Sequence, residues 1–485
     1  MDSVSPLDSQ SFVTFMQPEI MSSYRALRIL MVPILLAATP VTGATQQTFA
    51  PDSLVTRLLA ERISAKRGTG FVVAIVEQGK PSRIHTAGSS GVEGLPLDGN
   101  TVFEIGSITK VMTSTLLSEM VERGEVRLDD PISKYLPASV RVPTRNGKQI
   151  TLLDLATQTS GLPRLPTNMK PASVANPYAD YTVQNLYEFL SGYTLTRNIG
   201  EKYEYSNLGV GLLGHVLAVR AGKSLDDLMK ERVLIPLGMR DTGIQLAPAA
   251  KSRMAQGFNA YGEPVQNWDL PTLAGAGALR STANDMVRFL DASLDANHRP
   301  LGKVMARTRE PRHDADRPGN SIGLGWHIVD AFGTTLKWHN GGTGGYRAFI
   351  GIDENRRRGI VILSNSTISP DDIAFHLLEP KIPLDLPAAP PAPRKEIALD
   401  PSRLDALVGV YELAPNFRIT ITKEGNALYG QATGQGPLRL HAESDSRFFL
   451  KDVDAQMSFV RTADGRVSEL VLHQGGANIP GKRIK

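Results

Sequence analysis

Apolar residues recur at helical spacing in "DSLVTRLLAERI" (Asp52 to Ile63), which predicts a helix with Asp52 as its cap. The run "GFVVAIVEQGKPSRIHTAG" (Gly70 to Gly88) predicts two strands around a Gly-Lys-Pro turn. From about 103 to 320 the pattern is mostly helical with long loops, and "STANDMVRFLDASL" opens a helix at Ser281 or Thr282. Between Ile322 and Ser366 strands alternate with turns, "NRRRG" (Asn355 to Gly359) reads as a solvated hairpin turn, and "PDDIAFHLL" closes the unit as a helix. Strands early, helices in the middle and strands late imply an α+β domain, an antiparallel sheet flanked by helices with a helical subdomain. Residues 380–396 are a proline-rich linker, stiff and extended. Beyond it, alternation between turns at Glu424-Gly425, Ser444-Asp445 and Asp464-Gly465 predicts a small all-β barrel or sandwich. The expected division is 1–44, 45–379, 380–396 and 397–485.

The first segment has a different character. Arg25 and Arg28 precede an apolar run from Ile29 to Ala38, and small residues follow at Val41, Gly43 and Ala44. This is the layout of a bacterial secretory signal peptide, too short for a good membrane span, and Pro33 and Pro40 disfavour a buried helix. Residues 1–20 read as an upstream extension, with translation starting at Met21 and the mature chain near Ala44 or Thr45. The expectation is a periplasmic or secreted protein with no membrane anchor after cleavage. The composition, 41% hydrophobic and 21% charged with a net charge of +4, is globular and gives no basic surface that would demand nucleic acid. The chain has no cysteine, which removes disulfides, thiolate metal sites, a cysteine nucleophile and a lipid-modified cysteine.

Three short stretches carry candidate chemistry. In "FEIGSITKVMTSTLL", Ser107 lies one helical turn before Lys110, at a strand-to-helix junction. A serine hydroxyl needs a base, and an amine at i+3 reaches it if burial or nearby positive charge keeps the amine neutral. About one Ser-x-x-Lys match is expected by chance in a chain of this length, so an ordinary helix start remains open at this point. In "EKYEYSNLGVGLLGHVLAVRAG", Tyr205 could share proton transfer and Asn207 could bind a substrate carbonyl; a packed tyrosine and a helix-capping asparagine are the plain alternative. Gly209-x-Gly211-x-x-Gly214 follows no apolar strand, so it predicts close helix packing rather than a dinucleotide site. In "KWHNGGTGGYRAFIG", His339, Asn340 and Gly341 end a strand-like run, and an edge strand beside the serine could pair with an extended substrate. A glycine-rich hairpin is the alternative there, and His473-Gln474-Gly475 repeats the His-x-Gly pattern. The chain has neither a Gly-x-Ser-x-Gly elbow nor a His-Glu-x-x-His zinc motif, so neither a metal nor an organic cofactor is expected.

Together and in this order, these stretches resemble the serine β-lactamase and penicillin-binding family, in its class C-like and D-Ala-D-Ala carboxypeptidase branch. "TLLDLATQTSGLP", "LIPLGMRDT" and "AGALRSTANDMVRFL" add to the resemblance, which spans about residues 52–376. The tail resembles the small lipocalin-like barrel appended to such hydrolases. The resemblance implies a β-lactamase/transpeptidase-like fold with Ser107 as acylated nucleophile, Lys110 as its base and Tyr205 as proton shuttle. It implies that Asn207, His339, Asn340 and Gly341 bind substrate and that the backbone N–H groups of Ser107 and Gly342 form the oxyanion hole. Two departures stand out: His-Asn-Gly replaces Lys-Thr-Gly, and Arg164 and Leu165 follow Gly-Leu-Pro where a glutamine is usual. A histidine is partly charged near neutrality, so the expectation is weaker, pH-dependent carboxylate recognition and poor β-lactam hydrolysis. The implied substrate is a peptidoglycan fragment, another D-peptide or a β-lactam. A carboxylesterase on small acyl esters and a non-catalytic peptidoglycan or penicillin sensor are the alternatives.

Overall fold

The computed structural model describes residues 49–485 apart from 298, 385–393, 416, 452, 454 and 475–476. The signal-peptide segment and most of the proline-rich linker therefore lie outside the described residues. The principal sheet has eight strands in the order Arg83–Gly88, Gly70–Glu77, Arg358–Ser364, Arg347–Asp353, Thr334–Gly342, His327–Ala331, Asn320–Ile322, His313–Asp314. The early strand Gly70–Glu77 pairs antiparallel with Arg358–Ser364 at the far end of the domain's sequence, matching Val72 with Leu363 and Ala74 with Val361.

Both faces of this sheet are covered, which explains why "GFVVAIV" reads as an unbroken apolar run. Phe71, Val73 and Ile75 pack under the helices Asp52–Ser64 and Asp371–Leu378. Their neighbours Val72, Ala74 and Val76 face the larger helical layer. Asp52 is not the cap expected of it: Pro51 holds that position, and the Asp52 carboxylate pairs with Arg83 on the edge strand. Thr282 does cap its helix, accepting from Asp285 N.

The helix Thr109–Glu122 runs through the centre of the helical layer and is buried from Thr109 to Met120. Its hydroxyls are absorbed by carbonyls: Thr113 Oγ1 donates to Thr109 O at 3.0 Å and to Gly275 O at 2.9 Å. Against it lies the helix Asn207–Ala221, whose glycines do what the pattern predicts. A Cβ on Gly214 would lie 2.9 Å from Gly275 Cα, and one on Gly211 would lie 2.8 Å from Leu273 Cβ. The helix thereby presses onto the turn Ala274–Ala276 and holds it beside Lys110.

The C-terminal unit is a closed eight-stranded antiparallel barrel, from Gly409–Ala414 to Ala477–Arg483. It meets the first unit through Lys451 Nζ on Glu263 Oε1 at 3.0 Å and through the rings of Tyr261 and Phe449, 5.9 Å apart.

Filling the helix contact should be felt at the site. Gly214→Val is expected to destabilise the helical layer by about 1–3 kcal/mol, the usual range for overpacking. It should lower the thermal unfolding midpoint and slow acylation together. Gly192→Ala, where an added Cβ meets nothing within 4 Å, should leave both within error. Calorimetry and acylation rates on the full chain check this.

Candidate active site

Ser107 lies in the 3-10 turn Gly106–Ile108, between the strand Val102–Glu104 and the long buried helix. Gly106 takes φ +49°, in the left-handed region. The end of the strand Thr334–Gly342 lies directly against this turn. A Cβ on Gly341 would sit 1.9 Å from Ile105 O and 3.1 Å from Ser107 N, and one on Gly106 would sit 2.6 Å from Gly342 N. Glycine at both positions lets two backbones meet, which brings the N–H groups of Ser107 and Gly342 to one place. The strand is not at the sheet edge, since it is paired on both sides along most of its length. The neighbouring strand pairs with it only as far as Trp338, however, while His339 to Gly342 pair with Arg347–Asp353 alone.

Lys110 is fully buried, and its Nζ lies 2.9 Å from Ser107 Oγ, 2.8 Å from Asn207 Oδ1 and 2.6 Å from Ala276 O. No carboxylate among the described residues pairs with it. Burial, and secondarily the charge of Arg164, hold its pKa well below the ordinary lysine value. A neutral amine has two N–H donors and one lone pair. Asn207 Oδ1 and Ala276 O can only accept, so they take the two donors and leave the lone pair for the Ser107 hydroxyl.

The Tyr205-Ser206-Asn207 segment reaches the site because Ser206 anchors it. Ser206 Oγ accepts from Gly209 N and donates to Pro163 O at 2.6 Å, while Ser206 N donates to Gln158 Oε1 at 2.7 Å. It is therefore Ser206 that caps the helix, leaving its neighbours free for the site. Burial pushes the Tyr205 phenol up to about 12, against the opposing pull of Arg164 and of the Ser107 hydroxyl. Asn207, expected to contact substrate, holds Lys110 with its oxygen and donates its amide to Tyr178 Oη at 3.4 Å.

His339 and Asn340 depart from expectation. His339 is only 2% exposed, with Nδ1 2.5 Å from Asn340 O and its ring 5.0 Å from that of His327. Burial first, then the charges of His327 and Lys110, push His339 well below the ordinary histidine value. Burial likewise pushes His327 to about 4. The partly charged, pH-sensitive carboxylate binder expected at 339 is instead a neutral packed ring. Asn340, one residue on, points to the other face of the sheet, where Nδ2 donates to Asp371 Oδ2 at 2.6 Å. Its side chain is thus turned away from Ser107, and only its backbone lies on the site strand.

Sequence reasoning overlooked four contributors: the Ala276 carbonyl, Tyr178, His327 and the guanidinium of Arg164, which stands 5.0 Å over the Tyr205 ring. Only Arg164 had a visible signal, as the departure after Gly-Leu-Pro.

Similarity to known proteins gives the family and the fold. The Beta-lactamase family model matches residues 55–377, and one described as a domain of unknown function (DUF3471) matches 393–483. The D-alanyl-D-alanine-carboxypeptidase/endopeptidase AmpH of Escherichia coli K12 is 31% identical over 288 residues, which are 56% of this chain and 72% of that protein. Penicillin-binding protein 4* of Bacillus subtilis is 26% identical over 460 residues, covering 88% of this chain and 98% of its own length. Among solved structures, a β-lactamase/D-alanine carboxypeptidase from Pseudomonas syringae superposes with a TM-score of 0.59 at 23% identity, over 67% of this chain and 98% of its own, and so supports the fold. With that match over most of the first unit and the 31% identical relative, the chain belongs to the beta-lactamase family of serine hydrolases.

Proposed function

We propose that this serine hydrolase is exported and cleaves amide bonds of D-peptides or β-lactams through an acyl-enzyme on Ser107. The observation that carries the reading is the buried Lys110 amine, 2.9 Å from Ser107 Oγ with both its donors matched by carbonyl-type acceptors. Lys110 takes the hydroxyl proton as Ser107 Oγ attacks the substrate carbonyl. The carbonyl oxygen becomes an oxyanion between the N–H groups of Ser107 and Gly342. Tyr205, protonated across the working range, passes its proton to the leaving nitrogen as the tetrahedral adduct collapses and is reprotonated by the proton that Lys110 took from Ser107. Water then attacks the ester, giving a proton to Lys110, and that proton returns to Ser107 Oγ as the acid leaves. An extended substrate can lie along His339 to Gly342, where the strand has one side unpaired. The names of the relatives, D-alanyl-D-alanine carboxypeptidase and penicillin-binding protein, support the substrate class, and the Arg25 to Ala44 pattern supports export. One observation favours a second reading, a carboxylesterase: the neutral His339 offers no cation on the strand for a substrate carboxylate.

Fluorescent penicillin should label the wild-type chain covalently, and Ser107→Ala should take no label; label retained on the alanine variant overturns the nucleophile. Lys110→Gln is expected to lower acylation by about 10³-fold or more, since members of such a unit fail together. Rates on a D-Ala-D-Ala peptide, nitrocefin and p-nitrophenyl butyrate separate the two readings, turnover of the butyrate alone favouring the esterase.

The pH profile follows from signs. Acylation needs neutral Lys110, so kcat/KM should fall on the acid side as the amine takes a proton. The groups around it are Ser107, Tyr205, Tyr178, His327, His339 and Arg164. Tyr205, at about 12, should impose no alkaline limb below that pH. Because the Arg164 charge repels a proton on Lys110, Arg164→Gln should move the acid limb to higher pH.

A further inference from the structure

The backbone of Arg164 is held in place. Its carbonyl accepts from Leu208 N at 3.1 Å, and the adjacent Pro163 O accepts from Ser206, so its backbone is fixed to the start of the Asn207 helix. The barrel comes near it as well: a Cβ built on Gly434, in the loop between the strands Ala427–Ala432 and Leu438–Ala442, would stand 4.0 Å from Arg164 Cβ.

The guanidinium is half-buried, stands 5.0 Å from the Tyr205 ring centroid and makes no hydrogen bond or ion pair with any described residue. A guanidinium carries five donors, and the face of a ring satisfies none of them as a hydrogen bond does. The other basic side chains of the site each have a protein partner. Lys110 is committed to Asn207 and Ala276, and His339 to a backbone carbonyl. Arg347 Nη1 donates to Thr343 O and Tyr346 O, both at 3.1 Å. The carboxylate-binding task that position 339 does not perform thus has a candidate across the cleft.

We infer that Arg164 is the substrate-anion anchor of this site, its unfilled donors taking a carboxylate carried by the substrate. The carboxylate can belong to the acyl part or to the leaving group; the chemistry of recognition is the same. The inference rests on acylation of Ser107 but not on D-peptides or β-lactams being the substrates.

The test uses two pairs of aryl esters with the full chain. p-Nitrophenyl hemisuccinate against p-nitrophenyl butyrate places the carboxylate on the acyl side. 3-Carboxyphenyl acetate against phenyl acetate places it on the leaving group. The quantity read is the ratio of kcat/KM, carboxylate over neutral, in wild type and in Arg164→Gln. In one pair that ratio should fall about tenfold or more, the scale of a lost charged hydrogen bond, mainly through KM. The wild-type preference should also weaken as salt is added. The neutral ester of each pair corrects for any loss of folded enzyme. Ratios unchanged in both pairs, or carboxylate and neutral rates falling together, overturn the inference. If the ratios shift while the D-peptide and nitrocefin stay uncleaved by wild type, the substrate reading fails and the anchor stands.

Discussion

An amine with no exposure and no anionic partner is the constraint on which this molecule turns. A charged ammonium is strongly disfavoured in such a place, and an unsatisfied amine is unfavourable as well. Both problems are solved if Lys110 is neutral, with its N–H groups on Asn207 and Ala276 and its lone pair on Ser107. The burial that favours a neutral Lys110 is the burial that forbids any other large change around it.

Five segments far apart in sequence must converge to build that environment, and small residues let them do so. Gly211 and Gly214 seat the Asn207 helix on the turn that presents Ala276 O, while Gly341 and Gly106 let the sheet touch the nucleophile turn. Ser206 joins the loop 158–164 to the same helix. Each close approach removes space that water would otherwise fill, which keeps the dielectric low around Lys110 and Ser107. The helical layer and this pair are therefore one packing problem.

What could be read from the chain follows from this. Ser107 and Lys110 lie one helical turn apart and Tyr205 in a short distinctive segment, and the strand and barrel patterns are period-two signals over long runs, so that these residues meet and that these elements form was legible. The Ala276 carbonyl was not, because a backbone acceptor leaves no trace in residue identity. Asn207 was found, but its bond to Lys110 was not foreseen: its helix places the oxygen on the amine, a relation set by packing across 97 residues. Asn340 was misjudged by strand alternation, which sends consecutive side chains to opposite faces. Asp52 failed as a cap because Pro51 already brings the chain in with extended dihedrals. His339 was read from its solution pKa, and burial behind His327 could be seen only in three dimensions.

If Arg164 is the anion anchor, a permanent charge on the loop rather than the strand has a consequence for timing. Burial first, and the Arg164 charge second, lower the proton affinity of Lys110. A carboxylate seated on Arg164 would cancel that repulsion and make Lys110 a stronger base when Ser107 gives up its proton. A neutral substrate would leave the repulsion in place and meet a weaker base. Selectivity for anionic substrates would then reside in the chemical step as well as in binding, through one guanidinium that stands over the Tyr205 ring.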